Sequence, residues 1–600
     1  MSTVTRLPKR SEVPTEDTWD LSSLFPNDEA WEEEFQEWQK SIAKYEEYQG
    51  TMEQGAHQLA SFLDFDNKFD RQAERLQTYA FLKTAEDVSE GKYQTMMGRI
   101  QNAGSRAAQA ASFFRPELLA IPEEKMQEML KSEELEPYQL LLDRILRYKP
   151  HTLSGSEERL LAMQSEMAST ASQTFRQLNN ADLDFGEIEL ESGKSIELSH
   201  ASFSRCLHHA NRELRQKAFD QYYQEYEAHK NTIAATLSGS IQGDIYYARA
   251  KNYPSALEAS LFTDNVPVTV YDNLIEAVHQ HLPALYRYYE VRRRKMNLET
   301  IHHYDTYVPI LSDLSTHYSW DEAVEVVTKS LEPLGSEYCG ALEKGLQGRW
   351  CDRYENKGKQ SGAFSCGSFD GDPYILMNYQ DDVLDHVFTL THEAGHSMHS
   401  YYSAAHQPFQ YYNYTIFVAE VASTFNEQLL GRYLMDAAGD DQMRAYLINK
   451  EIDSLRGTLI RQAMFAEFEK ITHAIAEANE PLTLGRFRDE YQTLLELYFG
   501  PDFTIDPQLS LECLRIPHFY RAFYVYKYAT GISAAVALAE RVISGGDQEL
   551  TDYLSFLKGG CSKFPLDLLR DAGVDLEEPT PVNTALERFE SLVDELDSLI

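Results

Sequence analysis

Long apolar runs are absent from this 600-residue chain. No stretch approaches the roughly 18 uninterrupted apolar residues that a membrane-crossing helix needs. The opening from Met1 to Glu16 is polar, carries Pro8, Lys9 and Arg10, and lacks the apolar core of a secretory signal. Paired cysteines are missing as well: Cys206, Cys339, Cys351, Cys366, Cys513 and Cys561 stand far apart with no CxxC spacing. That excludes a disulfide framework and a zinc-finger module and fits free thiols in a reducing compartment, so a cytoplasmic location is expected. Basic residues are scarce, 55 Lys and Arg against 95 Asp and Glu, for a formal charge of -40. Such a balance repels nucleic acid and anionic membrane surfaces, so neither is expected as a partner. It would draw cationic peptides, or simply keep the surface solvated. No Ser/Gly-rich linker, low-complexity tract or convincing repeat divides the chain, which predicts one interlocked unit. Hydrophobic residues make up 43% of the chain and its mean hydropathy is -0.47, ordinary values for a soluble globule that buries ample core without staples.

The chemistry is concentrated in five residues. Positions 392 to 396 read His-Glu-Ala-Gly-His. On a helix, positions i and i+4 share a face, so His392 and His396 can each bring a ring nitrogen to one metal ion at roughly 2.0–2.1 Å. Glu393 then stands beside the ion, where it can take a proton from a zinc-bound water whose pKa the metal has lowered to about 7. With 18 His in the chain, about 0.05 accidental matches are expected. The segment from Tyr379 to His392 contains no Pro or Gly, offers Asp381 or Asp382 as an N-cap, and puts Val383, Val387 and Leu390 on one stripe. The motif is therefore predicted to lie on a helix.

Catalytic zinc usually takes three protein ligands and a water, so a further side chain is required. His399 shares the face of His392 and His396, yet three successive turns of a straight helix spread over about 10 Å and cannot converge on one ion. His399 is expected to support a ligand or face the substrate, the alternative being a partly exposed surface histidine. A second helix is legible from Ile416 to Leu430, where Val418, Val421, Phe425 and Leu429 form an apolar stripe. Glu420, flanked by Ala419, Val421 and Ala422, lies in surroundings too apolar for a casual surface charge, and is the expected third ligand. Glu427 is the competitor; it could instead be a solvated charge or hydrogen-bond a ligand histidine.

These residues carry a family resemblance. His-Glu-x-x-His, 23 intervening residues, then Glu420 followed by Val-Ala-Ser423, resembles the gluzincin metallopeptidases of the thimet oligopeptidase (M3) family. The oligoendopeptidase F subgroup is nearest, through Phe417 to Ser423, Ile516-Pro-His518-Phe, Phe523 to Gly531, and an opening like Trp19 to Pro26. The likeness spans nearly the whole chain. It implies a mainly α, large helical zinc-peptidase fold with two interlocked halves around a deep channel, and a small β-sheet next to the active site. It also implies an N-terminal helical oligopeptidase region (1–200) and a catalytic region (201–600). The implied activity is zinc-dependent endopeptidase cleavage of short unstructured oligopeptides, with one Zn2+ per chain on His392, His396 and Glu420 and with Glu393 as general base. His518 matches a family histidine that acts on the substrate. Tyr524, Tyr526 and Tyr528 are the candidates for family tyrosines that bind substrate or stabilise the oxyanion, a place where a phenol donor contributes a few kcal/mol. In a chain with 37 Tyr, core packing is the alternative for each. A helical zinc carboxypeptidase and a non-catalytic peptide-binding scaffold remain as other function classes.

Helical periodicity is predicted for Trp31 to Tyr48, Gln58 to Glu86, Glu157 to Leu178, Phe203 to Ala250, Val270 to Met296 and Leu484 to Tyr498. Strand signals are sparse. Leu183 to Leu198 alternates apolar and polar residues around Ser192-Gly193 and predicts a hairpin. Ser361 to Tyr379 is a second β-like stretch just before the motif helix, and Ala363 to Ser365 or Tyr374 to Asn378 could be an edge that pairs with an extended peptide. The Tyr-rich tract from Tyr401 to Tyr414 links the two ligand helices and could line a cleft or pack internally.

Overall fold

The computed structural model describes residues 6–190, 193–311 and 316–600. Helices dominate. The predicted helices near residues 58, 270 and 484 form as Ala56–Glu86, Val268–Lys295 and Leu484–Phe499. Asp28–Ser41 is followed by a 3-10 turn, Ile42–Glu47. Two expected long helices are broken. Glu157 to Leu178 divides into Gly155–Met163, Ser165–Ala168 and Thr170–Gln177. Phe203 to Ala250 divides at residues 208–211, where Asn211 takes the N-cap of Arg212–Ala250 by accepting from the Leu214 N–H at 3.2 Å. An Asn side chain satisfying an orphan amide makes a new start cheaper than continuation.

The chain folds as two compact units, each assembled from three segments: Met1–Pro150, Ser315–Tyr433 and Leu538–Gly573 in the first, His151–Leu314, Leu434–Ala537 and Val574–Ile600 in the second. In the first, a core rich in aromatic rings gathers on Ala56–Glu86, with Trp31, Phe35, Trp38, Phe62 and Phe69 all buried. The indole N–H groups of Trp31 and Trp38 donate to the carbonyls of Leu76 and Phe69 at 2.8 and 3.1 Å, so these large side chains bury no unmet donor. In the second unit, Arg212–Ala250 packs against Arg461–Glu477, and Val268–Lys295 against Thr580–Leu599. Among the described residues no helix is long and apolar enough to cross a membrane.

The strands form two small sheets. β1 (Glu187–Glu189) and β2 (Ser195–Glu197) make the expected hairpin, with Ile188 opposite Ile196; Ser192 of its anticipated turn lies outside the described residues. β3 (Cys351–Asp352), β4 (Phe364–Cys366) and β5 (Tyr374–Leu376) form a sheet in the order β3-β5-β4. This order corrects one expectation. Tyr374 to Leu376 is the central strand, paired on both sides, and cannot offer an edge to a peptide, whereas β4 is an edge strand. The N–H groups of Ile375 and Met377 donate towards the β3 side, to Trp350 and Asp352 at 2.9 and 2.8 Å. Tyr374 and Leu376 therefore bond Cys366 and Phe364, and the backbone of Ser365 faces the open side.

Four helices carry or adjoin the candidate residues, α1 (Leu384–His406), α2 (Ile416–Asp436) and α4 (Asp547–Lys558) in the first unit, and α3 (Tyr526–Ser544), which starts in the second. α1 packs on β4, β5 and α4. Val387 and Leu390, on the predicted stripe, are fully buried. Its N-cap is Val383 and no side chain caps it, in place of the expected Asp381 or Asp382. The backbone is extended through Tyr379, whose N–H donates to Arg353, and the Asp381 carbonyl is taken by the Tyr318 N–H, so the helix starts later.

Candidate active site

The ring Nε2 atoms of His392 and His396 on α1 lie 3.2 Å apart. A Glu420 oxygen from α2 is 3.3 Å from the first and 3.5 Å from the second. These are the three residues among those described whose donor atoms could hold one metal ion. The donor set and its dimensions suit zinc: a tetrahedron with bonds of about 2.0–2.1 Å has edges of roughly 3.3–3.4 Å. Two imidazoles and a carboxylate leave the fourth corner open.

α1 and α2 reach this distance because of Gly395. A Cβ built there would fall 2.5 Å from Ser423 Cα and 2.6 Å from the Ala422 carbonyl oxygen, contacts no real side chain tolerates. Glu427, two turns along α2 from Glu420, meets the other nitrogen of His392, Nδ1, at 2.5 Å. A carboxylate on the far ring nitrogen fixes the ring's orientation and tautomer. Electrostatics follow from this crowding. Burial opposes charge on His392, but the hydrogen bonds to Glu420 and Glu427 outweigh it and raise its pKa to about 10. The two histidines hold Glu420 well below the usual carboxylate range. The corner thus attracts positive charge.

Glu393 is 8% exposed and lies one residue from the first histidine, on the β4 side of α1. Burial raises its pKa above the ordinary glutamate value, while His392, His396 and the Ser365 backbone amide pull it down. A carboxylate raised in this way is a better proton acceptor than a solvated one. Ser365 and α1 are further joined by a 2.8 Å contact between the Ser365 and Ser397 hydroxyls. The outward-facing backbone of Ser365 is therefore next to Glu393, and the sequence marked this strand without marking which residue faces out.

His399 is placed elsewhere. It is 1% exposed, its ring stacked on Tyr414 at 3.7 Å and near Phe556 at 5.3 Å, and burial lowers its pKa to about 3. It is a neutral packed ring, neither half-exposed nor joined to the three donors. Tyr412 and Tyr414 of the Tyr-rich tract turn inward with it, and Tyr414 shares a 3.1 Å contact with the Ser400 hydroxyl.

In the second unit, His518 on the 3-10 turn Pro517–Tyr520 lies 6.1 Å from the Tyr524 ring and 6.0 Å from that of Tyr528, the two tyrosines being 5.3 Å apart. All three are partly exposed. Burial and Arg521 lower the pKa of His518. Tyr526 does not join them. Tyr524 precedes α3 and Tyr528 lies in its first turn, their rings 5.3 Å apart, whereas Tyr526, the first residue of the helix, points into the core, 0% exposed and 5.2 Å from Tyr271.

A helical scaffold carrying two histidines of a His-Glu-x-x-His turn, a carboxylate from the next helix and a buried glutamate beside them defines a class, the helical metallopeptidases. Comparison with known proteins narrows it. The model of Peptidase family M3 matches residues 205–588, and that of Oligopeptidase F matches residues 117–185. Oligopeptidase PepF of Bacillus subtilis is 44% identical over 596 residues, 99% of this chain and 89% of that protein. Among solved structures, one from Chlamydophila abortus superposes with a TM-score of 0.94 at 35% identity, covering 99% of this chain and 100% of the other. Oligoendopeptidase-F from Enterococcus faecium aligns with a TM-score of 0.73 at 36% identity, covering 95% and 99%. The chain belongs to peptidase family M3. It is a metallo-endopeptidase of the oligopeptidase type.

Proposed function

We propose that this protein is a cytoplasmic zinc oligopeptidase, with one Zn2+ held by His392, His396 and Glu420, that cuts internal bonds of short unstructured peptides. The observation that carries the reading is the triangle of donor atoms with edges of 3.2, 3.3 and 3.5 Å and Glu393 beside it. Zinc bound there would supply Lewis acidity to the scissile carbonyl and to water. Glu393 removes the proton from the attacking water and delivers it to the leaving amine. Glu427, on Nδ1 of His392, keeps the Nε2 of that ring turned towards Glu420 and His396, where it would hold a metal. With its amide engaged by Glu393, the outward-facing backbone of Ser365 offers its carbonyl to an N–H of the extended peptide, a mode that asks little of side-chain sequence. The family resemblance assigns His518, Tyr524 and Tyr528 of the second unit to substrate binding and oxyanion stabilisation; Tyr526, fully buried, is left to packing. All of these groups lie in the catalytic region we assign to residues 201–600.

The reading is tested by mass spectrometry of an N-terminally blocked peptide series of graded length, incubated with the enzyme with and without chelator. Internal cleavage that stops with chelator and fails on folded proteins is expected. Removal of single C-terminal residues, or cleavage that survives removal of metal, would contradict it.

A further inference from the structure

Five non-glycine residues among those described have positive φ. Four are Asn, which tolerates the left-handed region. The fifth is Phe523, at φ 55°, a bulky residue for which that conformation is strained. It stands between the turn that carries His518 and the start of α3, where the chain reverses so that His518 faces Tyr524 and Tyr528. What over-determines it is local. The Phe523 N–H donates to Glu469 Oε1 at 2.9 Å, and Glu469 is only 2% exposed. The Phe523 ring lies 4.5 Å from His473 and 6.0 Å from Tyr271. The Ala522 carbonyl accepts from the Ser260 hydroxyl at 3.3 Å. Burial pushes the Glu469 carboxyl well above the usual carboxylate range, a polar group so placed is costly without a partner, and nothing in the proposed chemistry uses this one.

We propose that Glu469 is a positioning residue for the peptidase reaction: by binding the Phe523 N–H it holds the left-handed turn that aims His518, Tyr524 and Tyr528 at the substrate. This rests on the reading that the three side chains touch substrate. Backbone strain of this kind persists where the surroundings impose it, and it collects at sites that need a fixed geometry. Without the acceptor the Phe523 amide would be buried and unpaired, and the turn would relax towards negative φ, rotating His518 away from the tyrosines. A misplacement of about 1 Å in a positioning group is enough to cost on the order of a hundredfold in rate.

The test is a double-mutant cycle on kcat/KM with a fluorogenic peptide, together with metal content. Glu469→Gln retains an acceptor oxygen and should stay within about threefold of wild type, whereas Glu469→Met, of similar volume but unable to accept, should lose about tenfold or more with metal content unchanged. In the His518→Ala background the same Glu469→Met change should cost little. Full additivity with His518→Ala, or wild-type activity of Glu469→Met, would overturn the proposal. If Glu469→Met does not fold, Phe523→Gly decides, because glycine takes the turn unaided: the Phe523→Gly/Glu469→Met double variant should match Phe523→Gly, and its failure to fold would show that Glu469 serves the core instead. Should His518→Ala and Tyr528→Phe each leave kcat/KM unchanged, the substrate-contact reading itself fails, independently of Glu469.

Discussion

The two nitrogens of His392 have different partners: Nε2 faces Glu420 at 3.3 Å, and Nδ1 meets Glu427 at 2.5 Å. Removing the second partner leaves all three donors in place, so Glu427→Ala is expected to weaken metal affinity by about 10–100-fold without abolishing binding. Competition against a chelator of known affinity measures this, and unchanged affinity would show that Glu427 does not orient the ring. Glu420 and Glu427 also show where sequence runs out at this scale. They are seven residues apart, two turns of one helix, and so share a face. Spacing alone offers both as ligands; the crossing point of α1 and α2 separates them. His399 and Tyr526 illustrate the reverse problem, since a chemically capable side chain in a suggestive run is indistinguishable from a packed one until burial is known.

At the scale of elements, Gly395 sets the helix crossing. A methyl group would meet backbone atoms of Ala422 and Ser423 on α2, and backbone cannot swing aside like a side chain. Gly395→Ala should push the helices apart, destabilise the protein by about 1–3 kcal/mol and spread the donor triangle, reducing bound metal; thermal melting and metal analysis check both. Full metal occupancy with unchanged melting would refute the crowding argument. Most helices and both β regions were legible from periodicity, because a core face imposes it on any sequence. The break before Arg212 was not, since a polar cap such as Asn211 reads as an ordinary surface residue inside a strong pattern. The two-residue β3 has too short a period to detect, and only its pairing shows that β5 is central and β4 the edge.

At the scale of the whole molecule, each unit draws on three distant segments, an arrangement that no local pattern encodes because it is decided by contacts between residues hundreds of positions apart. The charge of -40 shapes encounter with charged peptides through a field that salt screens. The chemical claim rests instead on one carboxylate beside three donors. The most direct measurement is turnover of a metal-replete Glu393→Gln variant on a peptide that the native enzyme cleaves, with zinc content determined on the same sample. Full zinc content with activity lower by several orders of magnitude is expected for a lost general base acting in each proton transfer. Near-normal turnover in that preparation would contradict the account.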